Sequence, residues 1–365
     1  MATANIPNTI DIFSTYTMRA QIKLIKPEYF FFKTRYFPTG ADDIFDSDKV
    51  LVEYTMGSRK MAPFVGERLD APTLERGGYG ISELQPAEIK IGRPLKLDDL
   101  KKRGFGEALF VGSTPAQRAL KIQRNDLIEL NDSITRREEW MCVETMKTNA
   151  CVMQEYVDKV TVGEKKYVKF FDSETENGHL YTVANKWNST SANIIQDVAA
   201  MGKILAARGL NAADLVIGPD VEDVFYTDPI IGKMLDKNSG INFGVLDEKI
   251  EYPGVSFLGK FNYRGFKLNT FVVSESYEDD IGVDTPYFPK DAAMVTFPNC
   301  GHLMYGRITQ MKRFPSDQYE TIAAARVPRL DVDTHRETRE LVLKAHPLAA
   351  PHTYAPYIYA PNVVS

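Results

Sequence analysis

Between Pro115 and Gly163 the chain has neither glycine nor proline. Within that stretch Leu120, Leu127, Ile134 and Met141 recur every seven residues, and Met146, Ala150, Met153 and Val157 continue at spacings of four, three and four. Arg124, Asp132, Arg136, Arg137 and Glu138 fall on the other face. This is a helical period. Ser113 or Thr114 can cap its start, with Pro115 at the first helical position. The pattern predicts one long helix over 116–155, roughly 60 Å at 1.5 Å per residue. The apolar seam lacks a consistent second position, so a coiled coil fits less well than a helix laid across a sheet.

The segments before it read differently. Val50, Val52, Tyr54 and Met56 alternate with Glu53 and Thr55, and Ile89 and Ile91 alternate with Glu88 and Lys90. Both have strand period. Between them, Pro63, Pro72 and Pro86 forbid a central strand or a helix, and Arg76-Gly77-Gly78-Tyr79-Gly80 permits left-handed backbone. The pattern predicts a long exposed β-hairpin whose tip has too few apolar residues to bury itself. Upstream, "TYTMRAQIKLIKPEYFFFKTRYFP" is a basic, aromatic arm. Either its aromatics pack it onto its own domain, or it docks on a neighbouring subunit, with direct nucleic-acid binding the weaker option.

Downstream, "YVDKVTVGEKKYVKFFDSE" reads as a hairpin turning at Gly163 to Lys166. Ser191 is a candidate cap for a helix closed by Gly209. Leu215-Val216-Ile217 reads as a buried strand, followed by a helix from Asp220 interrupted near Pro229. "VSFLGKFNYRGFKLNTFVV" reads as two strands about an Asn-Tyr-Arg-Gly turn, and "AAMVTF" and "GHLMYGRI" as shorter ones. By pattern alone 331–345 reads as a helix. The tail "AHPLAAPHTYAPYIYAPNVVS" reads as extended and lying on a surface.

At 365 residues and 44% hydrophobic, the chain is long enough for two or more domains. A net charge of -5 argues against a dedicated nucleic-acid binder. No apolar run is long enough to span a bilayer, and "MATANIPNTIDIF" has no secretory pattern. Cys142, Cys151 and Cys300 read as buried reduced thiols.

Motifs for chemistry are sparse. Gly104-Phe105-Gly106 lacks the third glycine of a dinucleotide fingerprint, and there is no P-loop or nucleophile elbow. His179, His302, His335, His346 and His352 have no metal-ligand spacing. In "DKNSGINFGVLDE", Asp236, Asn238 and Gly240 occupy calcium-ligand positions, but Ile241 replaces the required glycine. Asp42-Asp43, Asp98-Asp99 and Asp279-Asp280 read as solvated turns. No catalytic, cofactor-binding or metal residues and no cofactor are assigned; catalytic residues can converge from distant positions, so the absence of motifs lowers the weight of an enzyme without excluding one.

The order of elements resembles the major capsid proteins of tailed bacteriophages, specifically the lambda-like capsid protein E family. The resemblance covers nearly the whole chain. It is carried by the extended-loop region, with Met61-Ala62 and Arg76-Gly77-Gly78, and by Gly265, Phe266, Val272, Val273, Tyr277, Glu278, Pro289, Met294 and Val295. It implies the HK97-like α+β fold: an N-terminal arm at 1–45, an extended loop at 46–96, a peripheral domain at 97–190 and 312–350 with its spine helix, an axial domain at 191–311 and a C-terminal tail at 351–365. It also implies that "RELVLKAHPL" is a returning strand.

The function implied is a head protein that assembles into an icosahedral shell around double-stranded DNA, through a procapsid that expands. Its partners would be its own copies, as hexamers and pentamers, a separate scaffolding protein, a portal, a decoration protein and, by weak non-specific contact, packaged DNA, with no membrane. Assembly would occur in the host cytoplasm and the product reside in the virion. Expected loop contacts between subunits are Arg59, Phe64, Val65, Glu67, Arg68, Asp70, Glu75, Arg76 and Tyr79, with arm contacts at Arg19, Lys23, Lys26, Phe30, Phe31 and Phe32. The tip near 66–80 and the Pro/Tyr tail are expected docking points for decoration. A cellular nanocompartment shell of the same fold, or a soluble enzyme without recognisable motif, are the alternatives.

Overall fold

The computed structural model describes residues 15–24, 30–55, 79–96, 115–156, 162–170, 178–228, 231, 252–279, 282–312, 318–333 and 338–364. Its longest element is helix α3, Pro115–Thr148, about 51 Å at 1.5 Å per residue. It ends earlier than the heptad spacing predicts. Asn149 adopts φ 52°, a left-handed stop that asparagine tolerates. Ala150 to Tyr156 then form strand β4. Met153 therefore belongs to a strand, and its helical spacing from Met146 is coincidental.

The first half of α3 lies on a three-stranded antiparallel sheet in the order β15 (Val327–Asp333), β16 (Thr338–Ala345), β3 (Ile89–Lys96). Leu127, Leu130 and Ile134 of α3 meet Leu330, Leu341 and Leu343 of the sheet. Helix α1, Thr15–Leu24, adds Met18 to the same cluster. Residues 338–345 are a strand, as the family resemblance implies and against the local helical pattern. Their alternate residues have a sheet face to fill, and tertiary packing overrides the local period.

From Glu138 to Met146 every residue of α3 is buried, so this end of the helix has no solvent face. Glu138, placed on the polar face by spacing, is fully buried. Around it packs the largest core, formed with helix α2, Phe31–Tyr36, and the ladder of β12 (Gly301–Tyr305) with β17 (Pro347–Pro351).

A five-stranded sheet runs β18 (Ile358–Ala360), β11 (Ala293–Thr296), β6 (Asp214–Ile217), β8 (Phe266–Val273), β7 (Val255–Tyr263). Only the β6–β8 pairing is parallel. Its strands have two apolar faces. Val216, Phe271, Val273 and Met294 face the large core, whereas Leu215, Ile217, Leu268, Val272 and Val295 face helices α4 (Ile194–Ala207) and α5 (Pro219–Thr227). This explains the continuous apolar runs "LVI" and "FVV". Asn193, not Ser191, caps α4 by accepting from the Gln196 N–H at 3.0 Å, and Gly209 closes it at φ 82°. The β7–β8 turn places Arg264 and Gly265 at φ 49° and 105°, the double left-handed geometry of a two-residue hairpin.

Three further expectations are corrected. β1 (Val50–Thr55) pairs with β2 (Tyr79–Leu84), while Ile89 and Ile91 sit in β3 against β16. The hairpin's return strand is thus the earlier one, because β3 has a larger apolar surface to join. Gly163 to Lys166 lie inside strand β5, Val162–Lys169, and the β4–β5 turn falls outside the described residues. The C-terminal segment is not laid on a surface: β18 forms the edge of the five-stranded sheet, with Ala355 to Ala360 buried. Between Pro356 and Pro361 there is a proline-free window, enough for three ladder positions on an edge.

Candidate assembly surfaces

The expected extended loop has a firm root. Val50 and Val52 of β1 are buried in the large core. Arg307 pairs with Asp48 at 2.9 Å and donates its backbone N–H to Ser47. Lys49 and Glu83 form an exposed pair at 3.0 Å, which contributes little by itself. The ladder runs from Val50–Leu84 to Thr55–Tyr79. Beyond that end lie 56–78, so Arg59, Phe64, Val65, Glu67, Arg68, Asp70, Glu75 and Arg76 fall outside the described residues. For Tyr79 the backbone alone is placed, opposite Thr55.

The expected arm contacts divide. Arg19 is half-buried on α1. Lys23 lies in α1 with its side chain not described, and Lys26 falls outside the described residues. Phe30, Phe31 and Phe32 are inside this chain's own core. Phe31 packs edge-on against Phe32, Tyr36 and Tyr252, and tilted on Phe271 of β8 at 5.1 Å. Those three rings therefore offer no surface to a neighbour. They tie the arm to its own subunit.

The tie is also electrostatic. Glu139 accepts the Phe32 and Lys33 backbone N–H groups, each at 2.7 Å, capping the first turn of α2. Glu138 is held by both terminal guanidinium nitrogens of buried Arg326 (2.6 and 2.8 Å), by Lys33 Nζ at 2.7 Å and by Tyr305 Oη at 2.9 Å. Although burial pushes the Glu138 carboxyl up, Arg326 and Lys33 hold it at about 2. Burial carries Glu139 the other way, to about 8, against the pull of the two N–H groups. On the far side of α2, Arg35 grips buried Asp214 of β6 at 2.6 and 3.0 Å, with Tyr36 and Asn269 completing the carboxylate's shell. One helical turn and a half thus joins α3 to the five-stranded sheet. Sequence reading missed this because the partners are more than 100 residues apart.

These charged groups face one another inside closed networks, not a cleft. Cys142, Cys151 and Cys300 are buried free thiols, all pushed up by burial. Among the described residues, no group of three His, Cys, Asp or Glu side chains is arranged to hold a metal. Two histidines that look unrelated in sequence do meet. The rings of His302 and His352 lie 3.5 Å apart, and His302 Nδ1 is 3.2 Å from Asp43, close enough for ion pairing but not aligned as a hydrogen bond. Burial and His302 push His352 down to about 4. The calcium-like segment and the Gly-Phe-Gly segment fall outside the described residues. No described helix is long and apolar enough to cross a membrane.

A family model described as phage major capsid protein E matches residues 14–360. The chain belongs to the phage major capsid protein E family. This capsid protein is similar in fold to a putative prophage capsid protein of E. coli CFT073, with TM-score 0.64 at 15% identity, over 96% of this chain and 99% of that one. It is also similar to a phage-related protein from Bordetella bronchiseptica RB50, with TM-score 0.51 at 8% identity, over 95% and 96% of the two chains. A comparison with curated proteins gives no match. The fold is the HK97-like α+β capsid fold, and the chain is a structural component of a phage capsid, built from many copies of itself.

Proposed function

We propose that this capsid protein forms hexamers and pentamers of an icosahedral procapsid, assembled in the host cytoplasm around a scaffolding protein and a portal, which expands as double-stranded DNA enters. The supporting observation is the family match over 14–360, joined to a β1–β2 ladder rooted in the core whose connecting segment, 56–78, is rich in alternating charges. In this reading the loop lies over an adjacent subunit. Arg59, Arg68 and Arg76 face Glu67, Asp70 and Glu75 across the boundary and fix register, while Phe64, Val65 and Tyr79 anchor it. Arg19, Lys23 and Lys26 supply contacts from the arm. The role is structural, without catalysis or cofactor.

The domain division follows the same reading: the peripheral domain contains α3, β15 and β16, joined by β3 from the end of the extended loop, and the axial domain contains α4, α5 and most of the five-stranded sheet. The tail contributes β18 to the latter. Decoration protein is then expected at the loop tip near 66–80, since residues 355–360 are buried. The capsid E match favours a viral shell over a nanocompartment.

Negative-stain microscopy of the protein co-expressed with its scaffold tests the proposal. Closed shells are the expected result, lost on reversing Arg59, Arg68 and Arg76 to Glu and restored when Glu67, Asp70 and Glu75 are reversed to Lys. Small oligomers from the unaltered protein with scaffold present would overturn it.

A further inference from the structure

Strand β5 carries Lys165, Tyr167 and Lys169 on one face, by its two-residue period. All three are exposed, Tyr167 by 53%. Glu164 and Lys166 fall on the opposite face, so the row itself contains no acid. Ala150 and Val152, the cross-strand partners of Lys169 and Tyr167, are buried, which leaves β5 as the outward strand of a two-stranded ladder. Trp140 joins this hairpin to α3: Lys165 Nζ lies 5.3 Å and the Arg137 guanidinium 5.2 Å from its ring. The row thus presents two exposed cations beside a shielded indole, on a chain whose net charge is -5.

Lys165 and Lys169 are four residues apart, about 13 Å along an extended strand. Cations held at fixed spacing on a β-ribbon, with an aromatic ring between them, match a phosphate backbone better than a compact anion. Resting on the capsid reading above, we infer that the exposed Lys165–Tyr167–Lys169 row of β5 is a surface that touches packaged double-stranded DNA. The contact is to phosphates and carries no sequence preference. A limited patch on an acidic chain holds DNA locally without gripping its full length.

The test uses unassembled full-length protein and a short mixed-sequence DNA duplex, followed by fluorescence anisotropy across salt concentrations. The double variant K165Q/K169Q should bind at least tenfold more weakly at about 0.1 M salt, with a log–log salt slope shallower by about 1.8, or 0.9 per lost phosphate contact. K260Q/K267Q removes the same charge from exposed positions on β7 and β8 and should leave the slope unchanged. Circular dichroism should match for all three proteins. An unchanged slope in K165Q/K169Q, or an equal loss in the control, overturns the inference. So does polyglutamate binding as tightly as the duplex with the same dependence on these lysines, which would make the surface one for an acidic protein. Shell formation is scored separately by microscopy, so failure of this surface and failure of the capsid reading give different results.

Discussion

Replacing Glu138 with Gln changes almost no volume and removes one charge. In the unaltered protein Glu138 and Arg326 are both buried, the former completely. Lys33, whose side chain is 24% exposed, can turn to solvent when its partner is neutralised. Arg326 cannot, because it lies among Thr135, Asn131 and Tyr305. E138Q therefore strands a guanidinium in the core, and breaking a buried pair from one side costs about 3–5 kcal/mol.

Proton linkage gives a similar figure. The Glu138 carboxyl drops from 4.5 to about 2 on folding, and at about 1.4 kcal/mol per pH unit this is roughly 3 kcal/mol of stability. Because the folded value is depressed, that stability is fully present above pH 4.5 and is lost as pH falls through about 2. The assay is urea unfolding of unassembled protein. E138Q should lose about 3–5 kcal/mol at pH 7, a large part of the 5–15 kcal/mol typical of a whole domain. The loss should shrink below pH 4. Replacing both partners, as E138L/R326M, should recover much of the stability. A cost for E138Q under about 1 kcal/mol, or a double variant much worse than the single, would refute the network as described.

Glu139 should act with the opposite sign. Its carboxyl is raised to about 8, so between pH 4.5 and 8 the folded protein holds a proton that the unfolded chain has released. Stability should fall as pH rises through that window, and E139Q should flatten the decline in a pH series of melting curves. Gly218→Ala should destabilise by about 1–3 kcal/mol in urea, because the added methyl would overlap the Lys290 and Pro289 carbonyls. Truncation after Ala355 removes buried Tyr357, Ile358, Tyr359, Ala360 and Val363. At about 1.5–3 kcal/mol per large apolar side chain, the truncated chain should fail to give a cooperative melt, whereas loss of a surface tail would leave the transition intact. Cys142, Cys151 and Cys300 should stay unreactive to a thiol reagent until urea unfolds the protein.

The start of α3 was readable because proline at the first helical position and an uninterrupted run are local signals. Its end was harder, since Met146, Ala150 and Met153 satisfy helical spacing while Asn149 quietly reverses the backbone. Strand β16 was readable only through family resemblance, because its alternation serves a sheet whose other members lie far away in sequence. The same limit applies to the links through α2. Nothing near Lys33 announces Glu138, and nothing near Arg35 announces Asp214. The sequence signal that was present, Glu138-Glu139 beside the apolar run Trp140 to Val143, marks a carboxylate pair entering a core and calls for cations from elsewhere. The charged loop beyond Thr55 was legible as something unable to bury itself, which is a statement about composition, whereas its partners are a matter of lattice.

The edge position of β18 also sets an order of events in time. Strand β11 is complete at Thr296, but its outer partner begins at Ile358, about 60 residues later. At synthesis rates of about 5–20 residues per second, the Ala293–Thr296 edge stays open for roughly 3–12 s on the ribosome. An open edge is adhesive, and nascent copies of this protein emerge close together on the same message. The late strand covers that edge from within the chain.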